Sequence, residues 1–167
     1  RERAEAIEEL GQLFTDAGSD GKQRTLETLR QVAQESTSRD ERTLARESLT
    51  DCLQEDPTTA APIVVDTFVE LAADSKFSDE RLDAIDKLRA CYPAVDRRHR
   101  DTIGETLADI AGNATFEDER RRARQRLSDI SRDERTSGEE TAADTAVGYL
   151  AESLAEHLDQ AASEDPE

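Results

Sequence analysis

The residues of this chain that could do chemistry near neutral pH are few in kind. Cys52 and Cys91 lie 39 positions apart, in a column that also holds Leu13 and Ile130. An otherwise apolar column predicts buried thiols that behave as small hydrophobes. A zinc site needs about four ligands, and His99 and His157 are the only imidazoles. His99 stands in Arg97-Arg98-His99-Arg100, the pattern of a solvated helix face, and Glu156 beside His157 does not make a catalytic pair by spacing alone. No Gly-rich phosphate loop and no Ser/His/Asp arrangement stands out. The sequence therefore predicts no enzyme, no metal and no cofactor.

Two arginine patterns remain. Arg3, Arg42, Arg81 and Arg120 recur every 39 residues. They could line a groove for an anionic partner. The favoured expectation is a ladder of ion pairs with acids of neighbouring units, each exposed pair contributing about 0–1 kcal/mol and less in salt. The second pattern is local: Arg120, Arg121, Arg122, Arg124, Arg126, Arg132 and Arg135 fall within sixteen residues, and nine acids but no Lys or Arg follow Arg135. Such a charge-asymmetric end either docks phosphate, nucleic acid or an acidic protein, or is neutralised within the fold. Neutralisation by the acidic last helix, through Asp144, Glu152 and their neighbours, is the favoured expectation.

The elements that position these residues follow from an internal repeat, the first thing to seek in such a chain. Asp-Glu-Arg occurs at 40–42, 79–81 and 118–120, and Glu2-Arg3 continues the register. Ala6, Ala45, Ala84 and Ala123 follow at a fixed offset, then Leu10, Leu49, Leu88 and Leu127, then the Leu13/Cys52/Cys91/Ile130 column. Offsets of four and three place these on one helical face. A second set repeats in step: an acid-threonine pair at 27–28, 66–67, 105–106 and 144–145, then Leu29, Phe68, Leu107 and Ala146, then Val32, Leu71, Ile110 and Tyr149. Asp133-Glu134-Arg135 is out of register and reads as coincidence.

Boundary signals agree. Ser38-x-x-Glu41 fits a capping box, and Phe77, Ser78 and Leu82 fit a hydrophobic staple around a Ser N-cap. Asp56-Pro57 fits an N-cap before a first-turn proline, and Gly112-Asn113 a helix stop. Eight helices are predicted, roughly 1–15, 21–35, 38–54, 57–74, 78–92, 94–112, 116–132 and 138–162. Short connections make neighbours antiparallel. The expectation is one all-α domain over 1–163, an α-α superhelix of 39-residue units near 1–39, 40–78, 79–117 and 118–162, with an acidic tail at 163–167. Stacked units bury a core that no single pair can bury.

Composition bears on the solvent. Lys+Arg is 22 against Asp+Glu 40, a net charge of −18 that repels nucleic acid and anionic membranes at long range. Leu, Ile, Val and Phe together number 31 of 167, a content usually read as disordered at such a charge. The ordered apolar spacing argues otherwise. Only Lys22, Lys76 and Lys87 are lysines; every other cation is arginine. Acid-rich, lysine-poor, weakly hydrophobic sequence resembles cytoplasmic proteins of salt-in halophiles, especially haloarchaea. At roughly 1 M salt the Debye length is about 3 Å, which screens the self-repulsion. No apolar run approaches the roughly 20 residues of a membrane span, no signal-peptide pattern is present, and two cysteines form no disulfide framework. A reduced, cytoplasmic setting is expected.

Residues 1–13, with Arg3, Ala6, Leu10-Gly11 and Leu13, resemble the second helix of a HEAT-like repeat of the tetrapyrrole-lyase type. Residues 79–88 and 118–127 resemble it more loosely, and Pro62 matches a proline common in the first helix of such units. The resemblance spans about residues 1–150. It departs at Glu2, Glu41, Glu80 and Glu119, where the family has a buried aliphatic residue, and in keeping only Gly11. It implies an α-solenoid that binds another protein on a concave face along the second helices. Thr43, Arg46, Glu47, Thr50, Leu82, Asp86, Arg89, Arg121, Arg124 and Gln125 lie off the core stripe there and are the expected partner contacts. The alternative is nucleic-acid or phosphate binding through helix 116–132, which the net charge and the scarcity of aromatic residues oppose. A chromophore lyase is a third possibility, by family analogy alone.

The last predicted helix is longer than its counterparts and carries a stripe of Ala143, Val147, Leu150, Leu154, Leu158 and Ala161. Terminal repeats normally present a polar outer face. Leu150, Leu154 and Leu158 are therefore expected to cap the fold or, the favoured reading, to mediate self-association, for example as a homodimer. At the other end Ala6, Leu10 and Phe14 are expected to be incompletely covered.

Overall fold

The computed structural model describes residues 1–137 and 141–163. These form eight α-helices: α1 (Glu2–Leu13), α2 (Ser19–Glu35), α3 (Arg39–Glu55), α4 (Pro57–Asp74), α5 (Ser78–Cys91), α6 (Arg97–Asn113), α7 (Glu117–Ser137) and α8 (Thr141–Ser163), with one 3-10 turn at Tyr92–Ala94. No strand occurs among the described residues. The helices stand in two layers. The odd-numbered ones follow one another in one layer and the even-numbered ones in the other. The tightest hairpins are α2 with α3, α4 with α5 and α6 with α7. The period is thus 39 residues, but each compact hairpin straddles a unit boundary. Among the described residues, α1 stands in the place of a second helix and α8 in that of a first helix.

The repeat columns explain the core. Ala45, Ala84 and Ala123 are fully buried, and so are Leu49, Leu88, Leu29, Phe68 and Leu107. Small residues at the alanine column let consecutive second helices approach closely. The terminal members differ: Ala6 is exposed, Leu13 is 63% exposed and Tyr149 40% exposed. Phe14, expected to be poorly covered, is instead fully buried, with the Lys22 ammonium 5.3 Å from its ring. The chain turns back just after α1 and folds α2 over it.

Local signals set most boundaries. Asp56 accepts from Thr59 N at 3.3 Å with Pro57 in the first turn, and Asp96 accepts from His99 N at 3.0 Å. Gly112 lets α8 approach α6, since a Cβ there would lie 3.0 Å from Ser153 Oγ. Two expectations change. Ser38 Oγ accepts from Glu41 N at 3.4 Å, but the Glu41 carboxylate takes the Ser36 hydroxyl instead of returning to Ser38. Ser78 is inside α5 and caps nothing, and Phe77 is 47% exposed against an arginine, not stapled into the core. α7 also runs five residues past its predicted end at 132, to Ser137. The out-of-register acids hold that extension: Asp133 accepts from Arg89, and buried Glu134 accepts from the Tyr92 hydroxyl. Burial, then the Glu134 hydrogen bond, push the Tyr92 pKa up.

Candidate partner-binding site

The same group of side chains is built at each turn between paired helices. Ser36, Ser75 and Ala114 end α2, α4 and α6 with nearly identical backbone angles: φ −61°, ψ 137°; φ −58°, ψ 136°; φ −60°, ψ 142°. Six residues on, an arginine reaches back. Nη1 of Arg42, Arg81 and Arg120 donates to the carbonyl of Ser36, Ser75 and Ala114 at 2.7, 2.6 and 2.5 Å. That bond fixes the guanidinium and turns its Nε to the next unit. Arg42 Nε donates to Glu80 Oε1 at 2.7 Å, and Arg81 Nε donates to Glu119 Oε1. At the N-terminal end Arg3 and Glu41 are 3.5 Å apart. Arg3, Arg42 and Arg81 thus form the expected ladder, each with the glutamate 38 positions on, while Arg120 pairs with Glu117 of its own helix.

The glutamate column, where an aliphatic residue was expected to be buried, is itself buried at its inner members: Glu80 and Glu119 are 2% and 3% exposed. A charge this deep is tolerated only with a partner and further hydrogen bonds. Glu41 and Glu80 have both. Ser36 Oγ donates to Glu41 Oε2 at 2.5 Å, and Ser75 Oγ to Glu80 Oε2 at 3.2 Å. The third position in that column is Ala114, and Glu119 Oε2 is buried with no hydrogen-bond partner.

An exposed phenylalanine lies over the buried Arg42 guanidinium and the half-buried Arg81 guanidinium, at 4.4 Å for Phe77 and 5.2 Å for Phe116. Cation–π attraction of about 0.5–1 kcal/mol holds such rings. Beside each ring is a cleft. One, of about 630 Å³, is lined by residues including Gln34, Ser36, Arg42, Glu70, Phe77 and Glu80. The other, of about 370 Å³, includes Ala73, Arg81, Asp109, Ala114, Phe116 and Glu119. Every lining residue of the smaller cleft except Ala72 is the 39-residue counterpart of one lining the larger. Phe77 and Phe116 were not among the expected contacts. Their 39-residue spacing was the available signal.

The expected contacts on the second helices are dispersed in character. Glu47, Arg121, Arg124 and Gln125 are exposed, and Thr43, Thr50 and Leu82 are half-buried. Arg46 is 4% exposed; its Nε donates to Asp83 at 2.8 Å and its Nη1 lies 3.5 Å from Glu80, so it is part of the core and presents no surface. Asp86 accepts from Arg122 and Arg126, and Arg89 donates to Asp133.

Among the described residues, the basic helix is neutralised by acids of α5 and of α7 itself. Arg120 and Arg124 pair with Glu117, Arg121 with Asp118, Arg122 and Arg126 with Asp86, and Arg126 also with Asp129. Arg132 lies 4.0 Å from Asp129, and Arg135 donates to Ser131 O. The acids come from α5 and from α7 itself, because α7 packs beside α5 in the same layer. Glu152 is exposed, and the side chain of Asp144 lies outside the described residues. The two arginines on Glu117 hold its carboxyl below the usual range, and Asp86 raises Arg126.

The other reactive groups are structural. Burial pushes the Cys52 and Cys91 thiols from 9.0 up to about 12, and both are free. His99 Nδ1 lies 2.7 Å from Asp96, and His157 Nδ1 2.8 Å from Ser153 O. Among the described residues no cluster of His, Cys, Asp and Glu could hold a metal ion, and no helix is long and apolar enough to cross a membrane. Against known proteins, the chain matches no family model and no curated sequence.

Proposed function

We propose that this chain is a non-catalytic scaffold that binds another protein through its two equivalent clefts, in cytoplasm of high salt. The observation that carries the reading is the pair of exposed phenylalanines, held in register over a fixed Arg–Glu floor. Aromatic rings beside desolvated pockets are the usual anchors of protein recognition. Two equivalent clefts one unit apart suit an extended partner with repeated apolar side chains. The HEAT-like pattern of α1 supports a binding scaffold by analogy. Nucleic-acid binding through α7 has less support, because Arg120, Arg121, Arg122, Arg124 and Arg126 pair with acids of the same chain.

The test is capture from an extract in about 2 M salt, with wild type and with Phe77→Ala/Phe116→Ala. A partner retained by wild type and lost by the variant supports the reading. Retention by both removes the clefts from it. The salt requirement is checked by circular dichroism. A net charge of −18 over a thin core predicts a cooperative melt at about 2 M salt and a much weaker fold at about 50 mM. Equal melting at both would refute the halophilic reading.

A further inference from the structure

We infer that the smaller cleft takes a lysine side chain of the partner, its ammonium seated between Glu119 and Asp109 and its stem along Phe116. This rests on the proposed function and names the partner's chemistry at one of the two clefts. The clefts share their walls but differ at the floor. In the larger one Glu80 is fully engaged. Its Oε1 accepts from Arg42 Nε at 2.7 Å and lies 3.5 Å from Arg46 Nη1, and its Oε2 accepts from Ser75 Oγ at 3.2 Å. One unit on, Arg81 stands in the place of Arg42, but Ile85 replaces Arg46 and Ala114 replaces Ser75. Glu119 therefore lacks one cation and one hydroxyl donor that Glu80 has. It is 3% exposed, and its Oε2 is buried without a hydrogen-bond partner.

The second acid of the smaller cleft is short of a cation too. Its counterpart Glu70 accepts from Arg30 at 2.6 Å. Asp109 has Val69 in the place of Arg30 and takes the Asn113 amide at 2.7 Å instead. Lys76, which lines the larger cleft, is Thr115 in the smaller. Two carboxylates thus share one guanidinium around a space of about 370 Å³. A buried acceptor without a donor carries a desolvation cost that an entering donor removes. A compact ammonium supplies both missing parts at once, a positive charge and three donors. The remaining wall includes Ala73, Ile110 and Phe116, which suits the apolar stem of a lysine. Oε2 is covered in the free protein, and the least held part of the wall is the Phe116 ring, 56% exposed and resting on the Arg81 guanidinium. The ammonium enters as that ring turns aside. The larger cleft offers no such seat, because Ser75 and Arg46 already occupy Glu80.

The test is a proton–nitrogen correlation NMR titration in about 1 M sodium chloride, where exposed charges are screened. Two short peptides serve as probes. One carries a single central lysine; the other has norleucine there, which keeps the stem without the ammonium. Wild type should bind the lysine peptide about tenfold more tightly, the effect of one hydrogen bond to a charged group, with the largest shifts at residues 114–119. Ala114→Ser sets a hydroxyl against Glu119 Oε2 and should bring the lysine peptide down to the affinity of the norleucine peptide. Asp109→Asn, at an exposed position, should weaken the lysine peptide alone. Equal affinities in wild type overturn the inference and mean that water satisfies Glu119. A preference for lysine that survives both substitutions also overturns it, since the ammonium then sits elsewhere. Phe116→Ala separates this outcome from the wider reading. Equal binding of both peptides that Phe116→Ala abolishes removes the lysine and keeps the cleft as an anchor site, whereas binding indifferent to Phe116→Ala counts against the cleft as well. No shift with either peptide overturns the lysine, and capture from the extract alone then decides the clefts.

Discussion

The Arg3–Glu41 and Arg42–Glu80 pairs have the same residues and the same separation, in different surroundings. At the end of the stack Arg3 is 76% exposed and 3.5 Å from its partner. One unit in, Arg42 and Glu80 are 6% and 3% exposed and 2.7 Å apart. The inner pair has lost its water, so its members depend on each other and on Ser36 and Ser75. In the outer pair Arg3 keeps its water, while Glu41, 12% exposed, has the Ser36 hydroxyl as a second partner and so depends little on Arg3. A motif repeated identically in sequence thus acquires its energetic meaning from its neighbours.

The largest test of that contrast removes Glu80. Its carboxylate faces both Arg42 and Arg46, which are 5% and 4% exposed. Glu80→Ala would leave two buried cations without their shared counter-charge. A loss of about 3–5 kcal/mol is expected, the range for breaking a buried pair by removing one partner. Buried pairs are weakly screened, so the loss should persist between about 0.5 and 3 M salt. Urea unfolding at several salt concentrations measures it. A cost under about 1 kcal/mol would mean that water reaches this junction.

A second, smaller effect separates inner from outer members of the cysteine column. Both thiols are raised from 9.0 to about 12, chiefly by burial. A folded pKa above the unfolded one means that stability is intact below about pH 9 and falls as the unfolded thiols ionise at higher pH. Tyr92, also raised, acts in the same direction. Cys52→Val/Cys91→Val should therefore lose less stability than wild type between pH 8 and 10.5, read from urea midpoints. Equal losses would place the alkaline sensitivity elsewhere.

The contrast also shows what sequence carries. The 39-residue period and its apolar columns were legible because every inner copy buries the same positions, which fixed the all-α repeat and the helices. The first and last helices were legible only in outline: Leu13 belongs to a column that is buried at Cys52, Cys91 and Ile130, yet it is exposed. Glu80 and Glu119 read as surface acids that displace an aliphatic residue. Their burial follows from a partner 38 residues away, and a single column does not show that pairing. Phe77 resembled a local staple, because its contact with Arg42 crosses units. Arg46 looked like a surface contact for the same reason. Asp133 and Glu134 seemed accidental until α7 proved long enough to reach Arg89 and Tyr92.

The third test repairs the one junction that lacks its hydroxyl. Ala114 has the backbone angles of Ser36 and Ser75. Ala114→Ser should therefore aim its Oγ at Glu119 Oε2, which has no partner now. A gain of about 1 kcal/mol is expected from one added hydrogen bond to a buried charge. The reverse change, Ser75→Ala, should cost a similar amount by orphaning Glu80 Oε2. A neutral Ala114→Ser with a costly Ser75→Ala would mean that ordered water already satisfies Glu119.

The smallest expected effect is the most discriminating. Arg3→Ala removes the outer rung, whose guanidinium is mostly in water and whose partner Glu41 keeps the Ser36 hydroxyl. In dilute protein the cost should be below about 0.5 kcal/mol, and in molar salt it should vanish, as for exposed pairs generally. A cost near about 2 kcal/mol that persists in molar salt would show that the Arg3–Glu41 pair behaves as an inner rung, and the contrast between the two pairs would fail.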